Sequence, residues 1–172
     1  HDVEADGITC EIAEAAAMED SVVTQRAFGR LGKLGVHVAV DDFGAGQSRL
    51  TKLRRLPVRE LKVDRGLVAE VATNDEARTV VQAIVQMAHT LKLRVVAVGV
   101  ETEAQRDLLM ALGCDEMQGY LFAKPMSARA LGLWAMDAPA ALSPAFHSSQ
   151  FKPTQPLSVS AMASTQLMST RP

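Results

Sequence analysis

Hydrophobic and polar positions divide residues 7–136 into short apolar segments that alternate with segments of helical periodicity. Short apolar runs predict buried strands, whereas apolar positions spaced three or four residues apart predict amphipathic helices. Five strands are predicted, at 8–12, 36–40, 60–63, 93–98 and 115–118. Near-continuous apolar strands separated by helices are typical of a parallel sheet covered by helices.

The predicted helices are bounded by capping signals. An Asp, Ser or Thr before a helix can accept hydrogen bonds from its first free N–H groups, and a Glu or Gln three residues later completes a capping box. A glycine commonly ends a helix because it adopts positive φ without strain. The first predicted helix begins at Asp20 and ends at Gly35. The second begins with the capping box of Thr73 and Glu76, and the third begins with that of Thr102 and Gln105 and ends at Gly113. A last helix is predicted over 127–135.

The strand count leaves two architectures open. Five strands are too few for a closed barrel of eight. They suit either an open doubly wound α/β sheet or part of a (β/α)-barrel. Periodicity alone does not separate the two.

Composition changes near Asp137. Residues 138–172 contain five of the seven prolines, many serines and threonines, and no glycine. Such a segment buries too little apolar surface to offset the entropy of ordering it. We therefore predict one α/β domain over 1–137 and a low-complexity, disordered tail over 138–172.

The net charge and the apolar pattern argue against a nucleic acid polymer and a membrane as partners. A net charge of −2 argues against a nucleic acid polymer or an anionic membrane as partner. There is no apolar run near the ~20 residues that cross a bilayer.

Cys10 and Cys114 match no zinc spacing, so they are expected to be buried, reduced and cytoplasmic. Because the sequence starts with His1, it is expected to be part of a longer protein.

Polar side chains follow the predicted strands where each strand ends. In chain order they are Glu11, the pair Asp41 and Asp42, Lys62 with Asp64, Glu101 and Gln118. Parallel α/β folds place their active sites at the carboxyl ends of the strands. The alternative for each residue taken singly is a helix cap or a solvated loop position.

The segment Asp-Asp-Phe-Gly-Ala-Gly at 41–46 is the most informative motif. Adjacent strand residues point to opposite faces, so Asp41 and Asp42 reach one site only if the strand ends or bends there. Paired carboxylates are suitable ligands for Mg²⁺ or Mn²⁺. A glycine-rich turn that holds a phosphate is the weaker alternative.

Several motifs together resemble the EAL phosphodiesterase family. They are ITCEIAE at 8–14, DDFGAG at 41–46, LPVRELKVDR at 56–65, AVGVETEAQ at 97–105 and GCDEMQGYLFAKPM at 113–126. The resemblance covers about residues 5–135. It implies a partial TIM-like (β/α) barrel of about five β/α units, and a metal-dependent hydrolysis of cyclic di-GMP to pGpG.

The resemblance also implies roles for individual residues. It assigns the Mg²⁺ or Mn²⁺ ligands to Glu11, Asp41 and Asp42, and a loop-stabilising role to Glu14. Lys62 would hold the attacking water or a phosphate oxygen, Glu101 matches the second glutamate of the AEGVE motif, and Gln118 would lie near the metals. The implied partners are cyclic di-GMP and either another EAL domain or an upstream sensory or cyclase domain. Separately, the surface residues of the predicted helix over 73–91 are a candidate dimer face.

Departures from the family pattern indicate impaired catalysis. Val98 stands where the family has the first glutamate of AEGVE, and the EAL glutamate and the asparagine of the next strand motif are absent. Smaller departures are Ala13, Gln47 and Arg49. Loss of an acid–base group alone typically costs ~10²–10⁴-fold in rate. We therefore expect a truncated, catalytically impaired phosphodiesterase domain, or alternatively a degenerate module that binds cyclic di-GMP or a protein without turnover.

Overall fold

The computed structural model describes residues 4–19, 21–45 and 50–137. Its strands are β1 (Thr9–Ala13), β2 (His37–Phe43), β3 (Glu60–Val63), β4 (Arg94–Val98) and β5 (Glu116–Gln118). Its helices are α1 (Glu14–Ala17), α2 (Val22–Leu34), α3 (Leu50–Leu53), α4 (Arg65–Glu70), α5 (Asp75–Thr90), α6 (Glu103–Leu112) and α7 (Ala128–Asp137). The five predicted strands are confirmed, with bounds that differ by up to three residues. The predicted tail, 138–172, lies outside the described residues.

The strand order settles the choice between the two architectures. All four strand pairs are parallel, and the order is β1-β2-β3-β4-β5. A doubly wound sheet reverses its strand order at a switch point, and these strands show no reversal. Because βα crossovers are right-handed, consecutive order places the helices on one face of the sheet, as in a barrel wall.

The register assigns side chains to the two faces of the sheet. One face carries the hydrophobic core against the helices, through Val38, Val40, Leu61, Val63, Val95 and Ala97. Registered neighbours in parallel strands share a face, and alternate residues along a strand return to it. The opposite side therefore carries three other registered pairs, which are Glu11 with Ala39, Lys62 with Val96, and Val98 with Gln118. We call this side the open face.

Capping confirms some of the predicted helix bounds and corrects others. The capping box of Thr102 and Gln105 is confirmed, as are the glycine ends at Gly35 and Gly113. The first cap is Ser21, whose Oγ accepts from Val23 N at 3.1 Å, and not Asp20, which lies outside the described residues. The Thr73 capping box is also wrong. Asn74 caps α5 instead, because its Oδ1 accepts from Glu76 N at 2.9 Å and from Ala77 N.

The chain divides into two units, His1–Pro125 and Met126–Pro172. The first contains the whole sheet and α1 to α6. In the second, α7 exposes the apolar side chains of Leu131, Leu133 and Met136. Among the described helices, none combines the length and apolar character needed to cross a membrane.

The two cysteines differ in environment. Both are free thiols, but Cys10 on β1 is only half-buried, whereas Cys114 is buried at the end of α6. Burial, with a smaller contribution from the Asp115 carboxylate, raises the pKa of the Cys114 thiol from 9.0 to about 12. Cys114 is therefore a neutral packing residue in the folded chain.

This difference predicts selective alkylation. At pH 8 folding lowers the thiolate fraction of Cys114 roughly 1,000-fold, and the thiolate is the reacting species. Iodoacetamide followed by mass spectrometry should modify Cys10 first and Cys114 only after denaturation. Because the folded pKa is raised, the contribution of Cys114 to stability is complete below pH 9 and is lost as the pH approaches 12. Equal alkylation rates of Cys10 and Cys114 in the native chain would contradict the burial of Cys114.

Candidate functional site

The paired aspartates lie in a β-bulge near the end of β2. Val40 pairs with Leu61 and Phe43 with Val63, so β2 has one more residue than β3 across this interval. Asp41 continues the open face, because it follows Ala39 by two residues and is in register with Ala13. Asp42 takes a left-handed conformation (φ 54°), which is uncommon outside glycine but is adopted more readily by aspartate than by most residues. The bulge thus supplies the bend that the two carboxylates need, and such bulges are common beside active sites.

Local hydrogen bonds hold this bulge. Asp42 N donates to the Asp41 carboxylate at 3.0 Å. Immediately afterwards, Gly44 N donates to Glu14 Oε2 at 3.2 Å. Glu14 is buried although it is acidic, and it links the start of α1 to the turn after β2. The geometry accords with the loop-stabilising role expected for Glu14, which stays a prediction.

Lys62 and Glu11 form an ion pair on the open face. Lys62 Nζ lies 2.6 Å from Glu11 Oε1, and the lysine side chain is 8 % exposed whereas that of the glutamate is 48 % exposed. Their strands flank β2, so the contact bridges over one strand. A charged hydrogen bond of this length, with one partner buried, fixes a cation at the carboxyl edge of the sheet.

Asp64 and Glu101 occupy different positions in the same region. Asp64 caps α4, with Oδ1 accepting from Gly66 N at 2.9 Å and Leu67 N at 3.3 Å. This is the helix-cap alternative that the sequence left open for it. Glu101, three residues after β4, is exposed, and its Oε1 accepts from Arg65 Nη2 at 2.7 Å.

Val98 and Gln118 are registered neighbours at the ends of β4 and β5. The alkyl side chain of Val98 is therefore on the open face, two residues beyond the neighbour of Lys62. Gln118 O accepts from Gly99 N at 2.7 Å and from Val100 N at 3.1 Å, which ties the loop after β4 to the end of β5. The side chain of Gln118 is exposed.

The sheet gathers the predicted residues at one edge without forming a complete metal site. Carboxylates are suitable ligands for Mg²⁺ or Mn²⁺. Within 4–19, 21–45 and 50–137, however, no three His, Cys, Asp or Glu side chains approach closely enough to hold an ion. Glu11 is instead paired with Lys62. The described donors thus do not by themselves fit the metal centre that the resemblance implies.

Two further residues of this region were not among the predicted site residues. The sequence pattern does not indicate Arg65, and it indicates Gln105 only as a helix cap. Both contact the loop that carries Glu101, Arg65 through the Glu101 carboxylate and Gln105 through the backbone. The signal for Gln105 was its place in a capping box, whereas no local pattern indicates the contact of Arg65 with a residue 36 positions away.

Comparison with known proteins identifies a family. Residues 1–125 match the family model described as the EAL domain. The chain is 43 % identical over 131 residues to the bifunctional diguanylate cyclase/cyclic di-GMP phosphodiesterase MucR of Pseudomonas aeruginosa. That match covers 76 % of this chain and 19 % of MucR, so the chain spans about a fifth of this relative.

Solved structures give the same result. The phosphodiesterase of MucR in complex with c-di-GMP superposes with a TM-score of 0.72 at 43 % identity, over 76 % of this chain and 53 % of that one. BlrP1 of Klebsiella pneumoniae, in complex with manganese and c-di-GMP, gives 0.67 at 31 % identity, over 72 % of this chain and 31 % of that one. The fold of this chain is thus similar to that of EAL proteins whose structures contain this dinucleotide.

Proposed function

Because the chain belongs to the EAL domain family, we propose that the carboxyl edge of its sheet binds cyclic di-GMP with little or no hydrolysis. The observation that carries the proposal is the buried Lys62, which the fold fixes on the open face beside Glu11. Each cyclic dinucleotide has two phosphodiester anions, and a fixed ammonium group neutralises such an anion without demanding a coordination geometry. Asp41, Asp42, Glu101 and Gln118 lie at the same edge as candidate polar contacts.

Val98 supports binding without turnover. A valine can neither transfer a proton nor hold a divalent ion, and loss of one acid–base group typically costs ~10²–10⁴-fold in rate. The described donor set points the same way, because Glu11, Asp41 and Asp42 would supply only part of a ligand set for Mg²⁺ or Mn²⁺. In a complete site such an ion neutralises phosphate charge and lowers the pKa of a bound water.

An active phosphodiesterase is the second candidate. It is favoured by the retention of Glu11, Asp41, Asp42, Lys62 and Glu101 at positions that match the family motifs. Under this hypothesis a neighbouring group replaces the missing glutamate at Val98. The two candidates differ in one measurable quantity, the rate at which bound cyclic di-GMP becomes pGpG.

Calorimetry and product analysis on the 172-residue chain test the proposal. We expect heat of binding with cyclic di-GMP and none with cyclic di-AMP, which has the same phosphates but different bases. Chromatography after incubation with Mn²⁺ should show unchanged cyclic di-GMP. Conversion to pGpG at many turnovers per hour would establish the active candidate instead. Absence of binding with and without Mn²⁺ would refute both.

Val98→Glu tests whether the valine is the sole defect. Because Glu11, Asp41 and Asp42 form no complete ligand group among the described residues, we expect this variant of the chain to remain at background hydrolysis. Val98→Gln has the same length without the charge and serves as the control. A gain of 100-fold or more in pGpG formation for the glutamate variant alone would show that the remaining donors suffice.

The proposal carries expectations about surroundings and partners. We infer that the chain works in the cytoplasm, where cyclic di-GMP signalling needs no export of the nucleotide. Its expected protein partners are another EAL domain, with 73–91 as the candidate contact face, or an upstream sensory or cyclase domain. Size-exclusion chromatography with light scattering would distinguish a monomer from a homodimer.

A further inference from the structure

Arg65 connects α4 to the loop that follows β4. Its Nη2 donates to Glu101 Oε1 at 2.7 Å, across 36 residues of sequence. Arg65 is the first residue of α4, and the Asp64 cap holds the next two backbone N–H groups. The arginine backbone is therefore fixed, and only its side chain needs ordering to reach the glutamate.

A close approach to Gly99 restricts the aliphatic part of that side chain. Gly99 has a positive φ of 83°, and a Cβ atom placed there would lie 2.5 Å from Arg65 Cγ and 3.0 Å from Cδ. The arginine thus lies directly across the backbone of Gly99. Exposed ion pairs usually contribute little, because two long side chains lose conformational entropy. Here the contact with the loop has already restricted the arginine, so the pair with Glu101 is preorganised although Arg65 is 64 % exposed.

The backbone of Glu101 is fixed from the same direction. Gln105 is 7 % exposed, and its Oε1 accepts from Glu101 N at 2.8 Å and from Thr102 N at 2.9 Å. Its Nε2 donates to Ala69 O of α4 at 3.2 Å. Two linked helices therefore restrain Glu101: Gln105 of α6 holds the peptide and Arg65 of α4 holds the carboxylate.

We propose that Arg65 is a positioning residue, which holds the Glu101 carboxylate in the orientation that contacts cyclic di-GMP. The inference rests on the proposed function, since it assumes that Glu101 lies at the nucleotide site. Arg65 acts through Glu101 and needs no contact of its own with the ligand. Without the guanidinium, the carboxylate turns toward solvent and its contribution to binding is lost.

A double-mutant cycle on the full chain tests this coupling. Arg65→Met, Glu101→Gln and the double variant are titrated with cyclic di-GMP by calorimetry. We expect each single change to weaken binding about 10-fold and the double change no more than about 10-fold, because both remove the same interaction. Arg106→Met is the control, because Arg106 pairs with Glu103 and Asp107 on α6. Independent effects that multiply to about 100-fold, or unchanged binding by Arg65→Met, would overturn the proposal.

A second measurement does not depend on the nucleotide. In a carboxyl-¹³C-labelled chain without ligand, the side-chain resonance of Glu101 should move in Arg65→Met and stay in place in Arg106→Met. Arg65→Lys keeps the charge and serves as the folding control for Arg65→Met. If the wild-type chain does not bind cyclic di-GMP, the proposed function fails. The spectrum still shows whether Arg65 contacts the Glu101 carboxylate. A Glu101 resonance that is the same with and without Arg65 refutes the positioning role.

Discussion

Gly119→Ala is expected to destabilise the fold by about 3 kcal/mol or more, enough to unfold a marginally stable domain. A Cβ atom at position 119 would overlap the backbone N, C and O atoms of Val100. These atoms cannot move independently, because Val100 N donates to Gln118 O and Val100 O accepts from Leu121 N at 3.0 Å. Urea denaturation followed by circular dichroism measures the loss. The physical reason is a backbone-to-backbone clash, which side-chain repacking cannot relieve.

Gly29→Ala is the matched control for this prediction. Gly29 is in the middle of α2, and a Cβ atom there would meet nothing within 4 Å. The same chemical change should stabilise the chain by up to about 1 kcal/mol, because alanine is the better helix former. If Gly119→Ala unfolded at the same urea concentration as the wild type, the close approach of the two loops would not exist in solution.

Lys62→Met is expected to weaken cyclic di-GMP binding by about 10- to 100-fold, which follows from the loss of one charged contact of roughly 1.5–3 kcal/mol. Methionine keeps most of the buried aliphatic length of the lysine, so packing on β3 should be retained. The change removes the ammonium group that lies 2.6 Å from Glu11 and leaves that carboxylate without this cation. Binding should therefore suffer both from the missing positive charge and from the unneutralised negative one.

Lys33→Met supplies the control, because it removes the same charge from an exposed position on α2. We expect its affinity for cyclic di-GMP to equal that of the wild type. The salt dependence of binding should also decrease in Lys62→Met and not in Lys33→Met. Equal affinities of the wild type and Lys62→Met, with unfolding free energies also equal, would exclude Lys62 from the binding site.

Helix bounds were predictable where a single local signal decided them. Thr102 and Gln105 satisfy both halves of a capping box within four residues, and the structure contains both hydrogen bonds. At α5 two good caps stand next to each other, Thr73 and Asn74. Asn74 caps because Thr73 Oγ1 donates to Glu70 O in the preceding turn. Competition of this kind depends on where the previous helix ends, which a capping pattern does not include.

The site was predictable to the level of the sheet edge but not in its contacts. The bounds of the short apolar runs place Glu11, Asp41 and Lys62 at strand ends, and the glycines after Asp42 indicate a bend. The bend itself lies between Val40 and Phe43, before those glycines. It is a bulge that depends on the register of β2 against β3. The pairs of Lys62 with Glu11 and of Arg65 with Glu101 join distant parts of the chain, so only the folded topology brings them together.

The bridge from β1 to β3 also explains an alanine that looks out of place. Ala39 lies on the open face and outside the hydrophobic core cluster, yet its exposed fraction is 0 %. It is the registered neighbour of Glu11 on one side and of Glu60 on the other, so it lies on the strand that the contact of Lys62 with Glu11 bridges. The small side chain at position 39 therefore leaves space for the contact between the two flanking strands. Its tolerance to larger residues is limited by an electrostatic contact between two other strands, even though it makes no polar side-chain contact of its own.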